Sequence, residues 1–170
     1  MATWVCRAVA GSLAPDARVA ALRAEEARDL LELRRSLDPL AAELAAQRRT
    51  SSDLQAIRAA HEGLEPLTAT PSSEHLAAHR AFHTAIYRAS HNDLLIEALD
   101  ALWDKADRYR QLALQTGPTQ AARDRKRADH LVLIDHIASG DHAAAAAVMR
   151  AHIDTSLGAT AVQRLAQPQG

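Results

Sequence analysis

The stretch Ser73-Glu74-His75-Leu76-Ala77-Ala78-His79-Arg80-Ala81-Phe82-His83-Thr84-Ala85-Ile86-Tyr87-Arg88-Ala89 decides how this chain is read. Leu76, His79, His83 and Ile86 recur at spacings of three and four, so they share one face of an α-helix. Histidines four residues apart lie about 6 Å apart along a helix axis and can close on one metal ion. The apolar residues on the same face turn it toward a protein interior.

The helical pattern extends on both sides of this stretch. A first helix is expected from about Arg23 to Arg48, with Leu30, Leu33, Leu37, Leu40 and Leu44 as one buried stripe. Thr50, Ser51 or Ser52 can cap a second, with Leu54, Ile57 and Leu64 inward and Pro66 at its end. Thr70-Pro71-Ser72-Ser73 break the chain before the third. Downstream, Asn92 suits the N-cap of a fourth helix carrying Leu95, Leu99, Leu102, Ala106 and Tyr109. Gly117-Pro118 stop it and start a fifth, which runs to Ser139. Gly140 then supplies a C-terminal glycine and Asp141 an N-cap for a sixth. The expectation is an all-α antiparallel bundle of six to seven helices over residues 25–165, followed by a short tail, 166–170.

Residues 1–24 read differently. Thr3-Trp4-Val5-Cys6 is β-prone, and Gly11, Ser12, Pro15 and Asp16 give linker chemistry. A chain of 170 residues fits one domain with a real core. Its net charge of −1 lacks the basic excess of a nucleic-acid binder. The run Arg123-Asp124-Arg125-Lys126-Arg127 reads as a solvated helix face. Cys6 is the sole cysteine, which rules out an internal disulfide and fits a cytoplasmic protein. No apolar run reaches the roughly 18–20 residues of a membrane span.

Histidine is in excess, nine in all. His130 shares a face with Leu133, Ile134 and Ile137, and His152 one with Ala145, Val148 and Met149. Three antiparallel helices would therefore aim His79, His83, His130 and His152 at one interior. Taken singly, a histidine on an apolar face is more often a hydrogen-bonded core residue than a ligand. His61, sharing a face with Leu54, Ile57 and Leu64 without an evident partner, serves as the control. His75, His91, His136 and His142 lie off these stripes and default to solvent. Ligand imidazoles must be neutral, so metal affinity is expected to fall as pH drops through roughly 6.5.

Leu31-Glu32-Leu33-Arg34-Arg35-Ser36-Leu37-Asp38 resembles the opening helix of the FadR C-terminal (FCD) effector-binding domain of GntR-family bacterial transcription regulators. Ala81-Phe82-His83-Thr84-Ala85-Ile86 with Ala89-Ser90-His91-Asn92 resembles that family's Phe-His motif and the turn after it. Asp129-His130, Ile134, Ile137, Gly140-Asp141 and Met149-Arg150-Ala151-His152 resemble its C-terminal signature. The likeness covers residues 28–157. It implies a metal held by an aspartate, a histidine four residues later and two more histidines. His83, His130 and His152 match the histidines, while His79 stands in the aspartate's place. Four nitrogen donors favour Zn²⁺ or Ni²⁺ over Mg²⁺ or Ca²⁺. The resemblance also implies a small organic acid as effector, clamped by an arginine that Arg34 matches. Asn92 either touches that ligand or simply caps its helix, and Arg34 has a structural alternative, pairing with Asp38 four residues on.

Thr3-Trp4-Val5 resembles the closing strand of a winged-helix wing, so residues 1–24 read as its remnant plus a linker. A DNA-binding half is then expected to be missing from this chain, and homodimerisation is implied by the two-fold operators of such regulators. The expected function is effector sensing in a transcription regulator, without catalysis. Two alternatives compete. A helical-bundle hydrolase or transferase would use a multi-histidine metal to activate water, but Asp129 and Asp135, its nearest acids, are ordinary helix residues. A structural dimerisation domain would bind no ligand.

Overall fold

The computed structural model of the chain describes residues 22–64, 72–114 and 119–166. Among the described residues there are seven α-helices and no strand: α1 (Ala24–Arg48), α2 (Ser51–Glu62), α3 (Ser73–Ala89), α4 (Asp93–Leu114), α5 (Gln120–Ser139), α6 (His142–Asp154) and α7 (Leu157–Leu165). The expected wing remnant, Pro66, Pro71, Gly117-Pro118 and residues 167–170 of the tail lie outside the described residues.

The boundaries follow cap chemistry. Thr50 and Asp53 form a reciprocal capping box at the start of α2, and Ser72 with His75 does the same for α3. Asn92 Oδ1 accepts from the Leu95 amide at 3.2 Å. Thr119, Asp141 and Ser156 cap α5, α6 and α7. At the end of α5 the chain turns through Gly140 at φ 80°, a left-handed conformation that suits glycine. A β-carbon there would also lie 3.1 Å from the Arg49 guanidinium, which donates to Ala138 O at 2.9 Å and joins the ends of α1 and α5.

Helix α1 runs through the middle and packs on α3, α4, α5, α6 and α7. This position keeps part of the expected leucine stripe and corrects the rest: Leu30 is buried, and Leu37 and Leu44 pack against the core half-buried. Leu33 is 51% exposed and Leu40 40%, whereas Ala27, Leu30, Leu31, Ala41, Ala42, Ala45 and Ala46 are buried. A helix surrounded by five others needs small residues where the axes approach, so alanines take much of the interior and two leucines, Leu33 and Leu40, are displaced outward. Pro39 lies inside α1 and can give no amide hydrogen to the carbonyl of Arg35, one turn back. Arg150 of α6 supplies the missing donor, Nη1 to Arg35 O at 3.2 Å.

The core has two parts. One, around Ile57, Phe82, Ile86, Leu133, Ile137 and Met149, joins α1, α2, α3, α5 and α6. The other, around Tyr87, Leu99, Trp103 and Tyr109, joins α1, α3, α4 and α7. The polar centre lies between them.

Candidate metal centre

The four expected histidines do converge. His79 and His83 come from α3, His130 from α5 and His152 from α6, with one ring nitrogen of each within 4.8 Å of the others. Ring centroids are 4.7 Å apart for His79–His83, 4.8 Å for His130–His152 and 5.2 Å for His83–His152. His83, His130 and His152 are buried, and His79 is half-buried.

Their hydrogen bonding is the decisive feature. Both ring nitrogens of His83, Nε2 of His130 and Nδ1 of His152 are buried with no hydrogen-bond partner. A buried polar atom left bare costs about 1–3 kcal/mol, so several in one place mark something the fold accommodates for a purpose. Metal coordination would occupy the one lone pair that each neutral ring has to give, on either nitrogen of His83 and on Nε2 of His130. Burial, reinforced by the neighbouring cations and imidazoles, holds all four rings well on the neutral side: His130 is lowered to about 2, and His79, His83 and His152 are lowered too. Burial therefore favours the neutral rings that a metal needs, which moves the expected loss of affinity to more acid solution than the unperturbed value of 6.5. Protons compete with a metal only in more acid solution, and the pH dependence moves into folding.

A cavity of about 800 Å³ opens beside these rings. Arg34 lines it and also makes the structural pair, with Nη2 to Asp38 Oδ1 at 2.7 Å and Nε to Oδ2 at 3.2 Å. Burial works against the guanidinium charge, but Asp38 and Tyr87 outweigh it and raise its pKa. Tyr87 donates its hydroxyl to Asp38 at 2.5 Å and accepts from Trp103 Nε1 at 3.2 Å. The Arg34 guanidinium also sits 4.3 Å over the Trp103 ring, a cation–π contact. Arg34 thus makes the expected structural pair with Asp38 and also lines the cavity. Asn92 caps α4 and does not line the cavity.

His61 lies nearer than a mere control should. It lines the cavity, with its ring 6.3 Å from that of His130, yet it stays outside the four-nitrogen group. The basic run is likewise not wholly solvated, because Arg123, Lys126 and Arg127 line the cavity. Lys126 Nζ donates to His152 O at 2.8 Å and to Thr155 Oγ1 at 2.6 Å. Burial lowers its pKa to about 8, against the opposing pull of Asp129.

Two site residues escaped the sequence reading, Trp103 and Arg110, and a third, Asp129, reads there as an ordinary helix acid. Asp129 Oδ2 stands 3.6 Å from His152 Nδ1, an ion-pair distance rather than a hydrogen bond. That neighbour lowers the Asp129 pKa, with further help from Lys126. A carboxylate behind Nδ1 favours the tautomer that leaves Nε2 free to ligate. Trp103 and Arg110, seven apart on α4, share a face, and Arg110 stacks 4.7 Å from the indole centroid. Only that spacing could have pointed to them.

Residues 29–155 match the FCD domain. The chain belongs to the FCD domain family. It is 30% identical over 138 residues to the HTH-type transcriptional regulator LutR of Bacillus subtilis (strain 168), covering 78% of this chain and 61% of that protein. It is 28% identical over 146 residues to the HTH-type transcriptional repressor GlaR of Escherichia coli (strain K12), covering 82% and 66%. The chain therefore spans about two thirds or less of these relatives. The solved metal-free FCD domain of TM0439 superposes with a TM-score of 0.63 at 22% identity, over 86% of this chain and 98% of that one. This confirms the fold. The relatives place the FCD domain among transcription regulators rather than metalloenzymes. No helix among the described residues is long and apolar enough to cross a membrane.

Proposed function

We propose that this FCD domain is the effector-sensing, dimerising part of a cytoplasmic transcription regulator, and that it reads a small organic acid through a divalent transition metal. His79, His83, His130 and His152 surround the metal, with His83, His130 and His152 among its ligands. Their donor set is all nitrogen and suits Zn²⁺ or Ni²⁺. DNA contact belongs to a winged-helix domain outside the described residues, and two copies pair to match a two-fold operator. One observation carries the reading: bare, buried imidazole nitrogens converge beside a cavity that also holds the Arg34 and Lys126 cations.

With neutral imidazole ligands the metal keeps its +2 charge, so an anion is favoured at any open position. Arg34, already held by Asp38 and Tyr87, would orient a carboxylate without having to be ordered first. Asn92 would contribute through the turn it caps rather than by direct contact. The test is elemental analysis of protein purified without affinity tag or chelator, followed by thermal-shift titration of the metal-loaded form with short carboxylic acids. Stoichiometric Zn or Ni and a dose-dependent upward shift support the proposal. Protein that never carries or takes up a divalent metal defeats it.

A further inference from the structure

Arg110 faces the one histidine that departs from the family pattern. Its Nη2 lies 3.1 Å from His79 Nδ1. The guanidinium is fixed on three other sides. Nη1 donates to Asp107 Oδ1 at 2.7 Å and approaches Leu76 O at 3.5 Å, and the plane rests 4.7 Å from the Trp103 centroid. Asp107 is itself held by Arg80 at 3.4 Å, so α3 and α4 are strapped together at this point. Arg110 is 2% exposed. Burial lowers its pKa to about 10, which still leaves it charged at neutral pH.

A guanidinium only donates hydrogen bonds. Nδ1 of His79 must therefore be the acceptor, and the single proton of the neutral ring must sit on Nε2. A neutral imidazole has one free lone pair, and here Arg110 occupies it. Nε2–H has none to offer a metal. His83 differs in this respect, since both of its nitrogens are bare, and so is Nε2 of His130.

We infer that the centre is a three-histidine site, His83, His130 and His152, in which Arg110 holds His79 as a hydrogen-bond donor to the metal-bound anion. Arg110 is a positioning residue acting through His79. Three protein ligands leave an open position, and the Nε2–H of His79, which lines the same cavity, reads the oxygen that fills it. Where the resemblance implies a carboxylate, this chain thereby presents a hydrogen-bond donor. The site loses a negative ligand and gains a group that recognises one.

This rests on the metal reading above, and the experiment keeps the two failures apart. Co²⁺ serves as the metal, its visible absorption as the readout and acetate as the probe anion. The wild-type chain is expected to bind one Co²⁺, with a spectrum that acetate shifts. His79→Ala should keep that stoichiometry and lose about tenfold in acetate affinity, the size of one hydrogen bond to a charged group. His79→Gln, whose amide N–H can stand in for Nε2–H, should restore much of it. Arg110→Met lets the ring proton move to Nδ1, which frees the Nε2 lone pair on the cavity side, makes His79 a fourth ligand, and should tighten Co²⁺ binding about tenfold while weakening the acetate response. Loss of stoichiometric Co²⁺ in His79→Ala would overturn the inference and leave the metal reading standing, as would equal acetate affinity in wild type and His79→Ala. A wild-type chain that binds no Co²⁺ would sink both.

Discussion

The floor of the cavity and its α4 wall are built on opposite principles. The floor, made by His83, His130 and His152, leaves buried ring nitrogens without partners. On the wall the polar groups are tied: Arg110 to Asp107 and His79, and Trp103 to Tyr87, with Arg80 of α3 holding Asp107 from outside the cavity. A satisfied polar network rigidifies a fold, and an unsatisfied one costs stability until something fills it. The contrast separates residues that shape the cavity from residues that wait for its occupant. It also makes opposite predictions for the two regions.

The floor should fail first in acid. In the metal-free protein, burial depresses the pKa of its histidines below the unfolded value of 6.5. The unfolded chain thus binds more protons than the folded one below that pH, and stability falls as pH falls. It is fully present above 6.5 and keeps declining toward the folded values, about 2 for His130. Each histidine that stays neutral contributes about 1.4 kcal/mol of loss per pH unit. Urea titrations of chelated protein at pH 7.5, 6.5 and 5.5 should show a loss between the last two exceeding that between the first two. A flat profile would mean that the buried histidines find protons while folded.

The network next to the wall should show its strength when one partner is removed. Asp38→Ala leaves the Arg34 guanidinium, 5% exposed, with Tyr87 as its remaining polar partner. Breaking a buried pair from one side costs about 3–5 kcal/mol. Arg34→Met, which removes the charge instead, should be milder. If thermal unfolding ranks the two the other way, the pair is not what holds Arg34 in place.

Removing a floor histidine should abolish the metal outright. His83→Ala and His130→Ala are expected to lose stoichiometric metal and with it the stabilisation that metal gives, about 2.7 kcal/mol at 100 times the dissociation constant. His61→Ala, outside the four-nitrogen group, should keep full metal content. Retention of metal by both floor variants would return these rings to the status of ordinary core residues.

Much of this contrast was legible in the sequence, and unevenly so. The floor could be read because helical periodicity alone put His83, His130 and His152 on apolar faces of three helices. Cap residues such as Asn92, Asp141 and Gly140 declare themselves by type, so most helix boundaries could be read too. The wall could not. Arg110 looks like any helix arginine until α4 is laid against α3, and its meaning depends on His79, 31 positions away. Leu33 and Leu40 of α1 misled because periodicity identifies an apolar stripe but not how many neighbours surround the helix. Lys126 was hidden for a related reason. A basic run averages over faces, and Arg123, Lys126 and Arg127 of it line the cavity.

Asp129 offers the smallest and most specific test, since it stands at the edge of the floor without being part of it. Its carboxylate lies 3.6 Å from His152 Nδ1, too far for a strong hydrogen bond in this geometry, yet close enough to favour the proton on that nitrogen. Asp129→Asn keeps the shape and removes the charge. Outer partners of metal-bound histidines are typically worth about 10–100-fold in affinity. The long separation here places the expectation at the lower end, about tenfold weaker metal with stoichiometry intact. Lys126, which faces the same carboxylate at 3.9 Å, should then be lowered further, because Asp129 is the group opposing its burial. A competition titration against a chelator of known affinity measures the first effect. An unchanged metal affinity would show that His152 needs no carboxylate behind it, and that Asp129 serves Lys126 alone.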